Sequence, residues 1–132
     1  MSDAKFPSDR RYTIDHEWAL TQGGEVLVGV SAFAVEQLGD ITLVSIDVSV
    51  GDELEAGKSF GTIESVKTLS DMFAPVSGTL VRINTNLEDK PELINQDCYD
   101  KGWIIAVKLS KPSQLEALLD VTAYEKLVQS EH

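Results

Sequence analysis

Cysteine and histidine are almost missing from this sequence: Cys98, His16 and His132 are all it has. One cysteine excludes an internal disulfide, and so sparse a set leaves no zinc-cluster spacing. Basic residues number 11 against 22 acidic ones, for a formal net charge of −11. No cluster of Lys or Arg makes a local exception, which argues against nucleic-acid binding, because a phosphate backbone would be repelled. Such a surface favours solubility and partners that present basic rims. Long apolar runs are lacking as well. "WIIAV" at Trp103–Val107 is far shorter than a membrane span. The opening "MSDAKFPSDRRYTIDHEW" has no apolar signal-peptide region and too little Arg/Ser amphipathic character for a transit peptide, so a soluble intracellular protein is expected. No Ser/His/Asp set, P-loop or dinucleotide fingerprint is visible.

What is present is β-structure. The 42% apolar and 25% charged residues are those of an ordinary globular chain, and 132 residues suit a single domain, 1–132. "EVLVGV" (Glu25–Val30) alternates with Val26, Val28 and Val30 on one face, and "WIIAVKL" does so through Trp103, Ile105, Val107 and Leu109. "DITLVSID", "KSFGTIESV", "LSDMFAPV" and "TLVRIN" read as further strands, punctuated by "VGDELEAG" and "PVSG". Gly23-Gly24 marks a hairpin turn. "SAFAVEQL" predicts a short helix with Ser31 as N-cap and Gly39 as its stop. Ser113-x-x-Glu116 and Thr122-x-x-Glu125 look like capping boxes, predicting helices over "QLEALL" and "AYEKLVQ". The fold class is therefore mostly β, with a core over about 12–109 and C-terminal helical cover over about 113–129. "INQDCYDKGW" reads as loop entering a strand, with Cys98 structural rather than nucleophilic. Trp18 is expected in the core or a cleft wall, and His16 as a hydrogen-bonded structural residue.

"TLVSIDVSVGD" (Thr42–Asp52) returns as "TLVRINTNLED" (Thr79–Asp89), which suggests two related halves packed as a sandwich. "GTIESVKTLSDMFAPVSG" falls between them and is expected to be the connection that crosses from one to the other. Lys67 is the sole basic residue between Ser59 and Val81. Its neighbours "SVKT" lack the Gly, Asn or Pro of a typical reversal, so a hairpin there must turn with ordinary dihedrals. Nothing in "ESVKTLS" offers the apolar burial that makes a lysine nucleophilic by itself. A tip lysine of this kind is either an ordinary solvated residue or an attachment point that another enzyme acylates.

"ESVKTLSD" followed by "APVSG" resembles the lipoylation hairpin of the glycine cleavage system H proteins. "YTIDHEW", "VGVSAFAVEQLGDI", "VGDELEAGKSFGTIESVK", "NTNLEDKPELIN", "GWIIAVKLS" and "PSQLEALLDVTAYEKL" match the same family in the same order, covering about Tyr12 to Leu127. Biotin carrier domains differ, with methionines flanking the lysine, and 2-oxoacid dehydrogenase lipoyl domains differ again, with a D-K-A tip. Two departures stand out: "VSIDVSVGD" lacks the proline often found before its turn, and Met72-Phe73 is a bulkier pair than the pattern leads one to expect.

The resemblance implies a flattened β-sandwich or barrel of the lipoyl-domain (hybrid-motif) type and a carrier rather than an enzyme. Lys67 would be joined by an amide to lipoic acid. In the family's cycle a pyridoxal-phosphate glycine decarboxylase places an aminomethyl group on the arm, and a tetrahydrofolate-dependent aminomethyltransferase takes its one-carbon unit. Dihydrolipoamide dehydrogenase then reoxidises the arm. Glu17 and Asp71 match positions of the cleft that shelters the loaded arm. Glu64, Ser65 and Val66 would shape the tip that a lipoate ligase or octanoyltransferase recognises. Some family members instead relay lipoyl groups to 2-oxoacid dehydrogenase carrier domains, and a plain acidic interaction module or a Schiff-base enzyme using Lys67 are further readings. The compartment implied is a bacterial cytoplasm, or the mitochondrial matrix for a processed form.

Overall fold

A computed structural model of the chain describes residues 6–131; His132 and residues 1–5 lie outside it. Strand β1 (Arg11–Tyr12) precedes the hairpin of β2 (Glu17–Gln22) and β3 (Glu25–Val30). That hairpin closes at Gly23-Gly24, where φ is 59° and 85°, the left-handed pair a two-residue turn demands. Helix α1 (Ala32–Leu38) begins where the Ser31 hydroxyl accepts the Ala34 amide at 3.3 Å and stops at Gly39, as its sequence predicts. Strand β4 (Ile41–Ile46) leads through the turn at Gly51 to the short β5 (Glu53–Leu54). Strands β6 (Ser59–Ser65) and β7 (Leu69–Phe73) form a second hairpin, followed by β8 (Gly78–Ile83). Two short helices, α2 (Asn86–Asp89) and α3 (Leu93–Asp97), precede β9 (Ile105–Leu109). The chain ends on α4 (Pro112–Glu116) and α5 (Val121–Ser130).

The strands form two antiparallel sheets, one ordered β1-β2-β3-β9-β8-β5 and one ordered β4-β6-β7. Val26, Val28, Leu80, Ile105 and Val107 of the larger sheet share one buried cluster with Ile41, Val44, Phe60, Ile63 and Met72 of the smaller. The alternation expected of β9 is only half the pattern, since Ile104 and Ala106 are buried too. A second cluster, Tyr12, Trp18, Phe33, Tyr124 and Val128, lies where α5 packs beside the first strands. The rings of Tyr12 and Tyr124 stack there at 4.4 Å.

The internal echo has a structural counterpart. Its first copy runs along β4 in the small sheet and its second along β8 in the large one. The expectation that Lys67 lies on the crossing between halves is corrected. β6 and β7 pair with each other in the same sheet, and the chain changes sheets afterwards, over Ala74–Ser77.

Both C-terminal helices form, but neither uses its expected cap. Helix α4 starts at Pro112, whose ring fixes φ for a first helical position, so Ser113 already lies inside it. It ends early because Leu119 is drawn into a bridge with Tyr12, exchanging backbone hydrogen bonds of 2.8 and 2.9 Å. The carboxylate of Asp120, two residues ahead of Thr122, takes the Ala123 amide at 2.9 Å and caps α5. The stretch read as loop before β9 contains α3, with Cys98 at its C-terminal end.

The second cluster carries a testable polar core. The Tyr124 hydroxyl lies 2.6 Å from Ser31 Oγ and 2.7 Å from His16 Nδ1. Among the described residues no buried side-chain N or O atom lacks a partner. Tyr124→Phe should therefore cost about 1–3 kcal/mol by leaving a buried partner unsatisfied. Urea denaturation measures it; unchanged stability would mean that His16 and Ser31 satisfy each other without the phenol.

Candidate attachment site

The tip of the β6–β7 hairpin reverses without glycine because a serine hydroxyl does the work. Ser65 N donates to the Thr68 carbonyl at 2.8 Å, leaving Val66 and Lys67 at the apex. Ser65 Oγ accepts the amides of Lys67 at 3.2 Å and Thr68 at 3.1 Å. That is a serine turn, in which a side-chain oxygen takes backbone donors a tight reversal would otherwise leave open. Among the described residues His16 alone combines a side chain with positive φ, so the apex uses ordinary dihedrals, as expected.

The apex is also held from the side. Val66 N donates to the Asp40 carbonyl at 3.0 Å. Gly39, next to it, has φ 79° and ψ −151°, a region essentially closed to residues with a Cβ. A Cβ there would lie 3.3 Å from Lys67 Cε, so the lysine's methylenes run across the bare face of this glycine. Asn95 of α3 bridges the same turn. Its Oδ1 accepts the Ile41 amide and its Nδ2 donates to the Gly39 carbonyl, both at 2.9 Å. Sequence reasoning passed over Asn95; the one available signal was an Asn within "ELIN", which has no turn to explain it.

Lys67 is exposed, and no ion pair or hydrogen bond among the described residues ties down its Nζ. Val66, Glu64 and Asp71 are exposed around it, and Ser65 is half-buried. An acyl chain joined at Nζ therefore meets no steric or hydrogen-bonding obstacle, and the residues fit such a group. Glu17 is a different kind of group from Asp71. Asp71 is a surface carboxylate, whereas Glu17 is only 2% exposed. Its Oε1 accepts the Thr13 hydroxyl at 2.7 Å and its Oε2 the Phe73 amide at 3.1 Å, so it anchors the base of β7 two residues beyond Asp71. Burial pushes its pKa up to about 7, against the opposing pull of those two hydrogen bonds.

The other candidates take structural places. Trp18 is fully buried, donating Nε1–H to the Cys98 carbonyl at 3.0 Å beneath the Arg10 guanidinium. His16 lies between Tyr124 and Glu131, at 2.7 and 3.0 Å. Met72 is buried, and half-buried Phe73 lends its amide to Glu17. Burial raises the Cys98 thiol to about 11, the reverse of what a nucleophile needs. Among the described residues no group of three His, Cys, Asp or Glu is placed to hold a metal ion.

Two unequal antiparallel sheets with an exposed lysine at the apex of a braced hairpin give a fold and site that suit a carrier domain, and comparison with known proteins narrows the class. A family model described as "Glycine cleavage H-protein" matches residues 10–131. A glycine cleavage system H protein of Anaeromyxobacter sp. (strain K) is 45% identical over 127 residues, covering 96% of this chain and 98% of that one. One from Symbiobacterium thermophilum is 48% identical over 122 residues, covering 92% and 94%. The crystal structure of a glycine cleavage system H protein from Mycobacterium marinum superposes with a TM-score of 0.82 at 40% identity, covering 96% of this chain and all of that one. The chain belongs to the glycine cleavage H-protein family, and its mostly β, lipoyl-domain-like fold is the one the resemblance implied.

Two measurements follow from this geometry. Asn95→Ala removes both hydrogen bonds to the 39–41 turn, so exchange of the Ile41 and Val66 amides should rise about tenfold, the equivalent of ~1.4 kcal/mol of local stability. Equal exchange in the variant would show the tip to be held without it. Glu17, with an ordinary value near 4.5 raised to about 7, binds more protons folded than unfolded between those values. Its contribution is therefore fully present below about 4.5 and lost as pH rises through 7, a difference of roughly 3 kcal/mol. Relative to Glu17→Gln, the wild type should lose stability over that window in urea titrations. Parallel curves would place the carboxyl in a wetter setting.

Proposed function

We propose that Lys67 is where this chain, a lipoyl carrier of the glycine cleavage system by its family, bears its lipoyl group. The observation that carries the reading is an exposed lysine, free of partners among the described residues, at the apex of a hairpin whose backbone is fixed on both sides. When bound, the group supplies a dithiolane that opens and closes; attachment, presentation and shelter fall to the protein. The whole of 1–132 would act as a single carrier domain without catalysis of its own.

Each residue then has a task. Ser65 and the Asp40 carbonyl fix the direction in which Lys67 leaves the sheet, so an arm grown from Nζ sweeps a defined volume. Glu64, Ser65 and Val66 present the tip to the lipoylating enzyme, a lipoate ligase or octanoyltransferase. Glu17 and Asp71 would accept hydrogen bonds from an ammonium brought back against the hairpin. Glu17 keeps its existing contacts while doing so, since each carboxylate oxygen has a second lone pair. A nearby cation would also draw it toward the ionised form. The arm's partners would be a pyridoxal-phosphate glycine decarboxylase, a tetrahydrofolate-dependent aminomethyltransferase and dihydrolipoamide dehydrogenase. No helix among the described residues is long and apolar enough to cross a membrane, and the relatives compared are bacterial, which supports a cytoplasmic site of action. The name those relatives share favours this carrier over a lipoyl relay.

Protein from its native host should show a single lipoyl adduct by intact mass, mapped to Lys67 by peptide fragmentation. Lys67→Arg should abolish the adduct and, with it, glycine–bicarbonate exchange by the decarboxylase. An adduct on another residue, or exchange surviving in the variant, overturns the assignment.

A further inference from the structure

Thr13 lies outside the lysine hairpin, yet every hydrogen-bonding position of its hydroxyl is in use. Oγ1 accepts the Asp15 amide and the Glu17 amide, each at 3.1 Å. Those two fill the acceptor positions of a hydroxyl. The one proton left goes to Glu17 Oε1 at 2.7 Å. The main chain holds the loop in this form, with Thr13 N donating to the Glu17 carbonyl at 2.9 Å and His16 N to the Thr13 carbonyl at 3.1 Å. The carboxyl at the end of this chain of contacts is buried, with the Phe73 amide on its other oxygen. Among the described residues no cation pairs with it. A buried carboxylate is costly without a cationic partner, so its retention suits a cation that arrives from outside the fold.

We propose that Thr13 is a positioning residue for the loaded carrier: its hydroxyl proton, with no acceptor open to it but Oε1, holds the Glu17 carboxyl turned toward the arm as an acceptor for the arm's ammonium. The inference rests on the reading of Glu17 as the arm's partner. The Thr13 hydroxyl and the Phe73 amide occupy one lone pair on each carboxylate oxygen, which leaves the others for an incoming N–H. Burial pushes the carboxyl toward its neutral form and Asp15 adds to that push, while both donors oppose it. The remaining titratable groups around it are Asp71, two residues from Phe73 on β7, Tyr124 of α5, and His16, which is taken up by Tyr124 and Glu131. None of them donates to Glu17, so Thr13 is its one side-chain donor among the described residues. An amine held as ammonium has no lone pair with which to expel the adjoining sulfur. Neutral, it lets the sulfur leave as the thiol, while water supplies oxygen and the cargo departs as formaldehyde and ammonia. Thr13 thus sets the lifetime of a cargo it does not touch.

The first test needs no cargo. In carbon-13 spectra of the unmodified full chain, the Glu17 carboxyl should titrate about one pH unit higher in Thr13→Val than in the wild type, and Thr13→Ser, which keeps the hydroxyl, should restore it. In the wild type alone the Thr13 Cβ signal should follow the Glu17 midpoint. A Thr13 signal flat over that range overturns the pairing, even where the valine variant does not fold. The second test uses the lipoylated carrier, loaded from glycine by the decarboxylase and then separated from it, with ammonia release timed. A midpoint moved from about 7 to about 8 lowers the ionised share at pH 7 about fivefold, so Thr13→Val should lose its cargo about fivefold faster there, the gap closing toward pH 9. Glu17→Gln should also lose it faster. Thr13→Val/Glu17→Gln should be no faster than Glu17→Gln alone, because the threonine acts through the glutamate. A gap of the same size at every pH, additive losses in the double variant, or an unmoved Glu17 midpoint overturns the proposal. Glu17→Gln that keeps its cargo as long as the wild type overturns instead the reading of Glu17 on which the proposal rests.

Discussion

The hydrogen bond from the Val66 amide to the Asp40 carbonyl joins the apex of a hairpin to a turn that belongs to another part of the chain. Without it Val66 and Lys67 would project past the last rungs of the β4-β6-β7 sheet, held only through the Ser65 turn. With it, the apex inherits the rigidity of everything that holds Asp40. That includes the helix stop at Gly39, the Asn95 side chain, and β4 immediately after. The contact requires both partners to be unusual. The turn needs a residue without a Cβ, so that a lysine can lie across it, and the apex needs a reversal that leaves the Val66 amide pointing outward. Ser65 supplies the second condition by taking the next two amides onto its own oxygen.

Glu17 imposes a comparable constraint at the other end of the hairpin. A buried carboxylate held by a hydroxyl and a main-chain amide fixes where β7 leaves the sheet, at a cost in desolvation that its raised pKa records. The residue before it, His16, has φ 72° and contacts Tyr124 of α5 and Glu131 just beyond that helix. The C-terminal helix is thereby coupled to the strand that bears Glu17. The hairpin is pinned at its base by Glu17 and at its apex by Asp40, both from elements that precede it in the chain.

What the residue order revealed follows a physical division. Period-two alternation in "EVLVGV", the Gly23-Gly24 turn and the Ser31-to-Gly39 helix depend on local chemistry, and all appear where they are expected. The echo between Thr42–Asp52 and Thr79–Asp89 marks one strand in each sheet, but its matched positions differ in burial, Leu43 being exposed where Leu80 is buried. Lys67 stood out by isolation, being the one cation in an acidic stretch. What stayed hidden depends on residues distant in sequence. Asp120 displaced Thr122 as a cap once Leu119 had paired with Tyr12, and that pairing spans the chain. The burial of Glu17 depends on where Phe73 arrives, and the use of Asn95 on where Gly39 lies. Neither follows from spacing.

Cys98 sits at the end of α3 with its sulfur buried and its thiol pushed up to about 11. Thiol–disulfide exchange requires a thiolate that can reach the sulfur it attacks. The protein's sole cysteine meets neither condition at neutral pH, so it would not compete with the disulfide ring of a lipoyl group borne on Lys67 as proposed. Redox traffic through such a ring is left entirely to the molecules it visits.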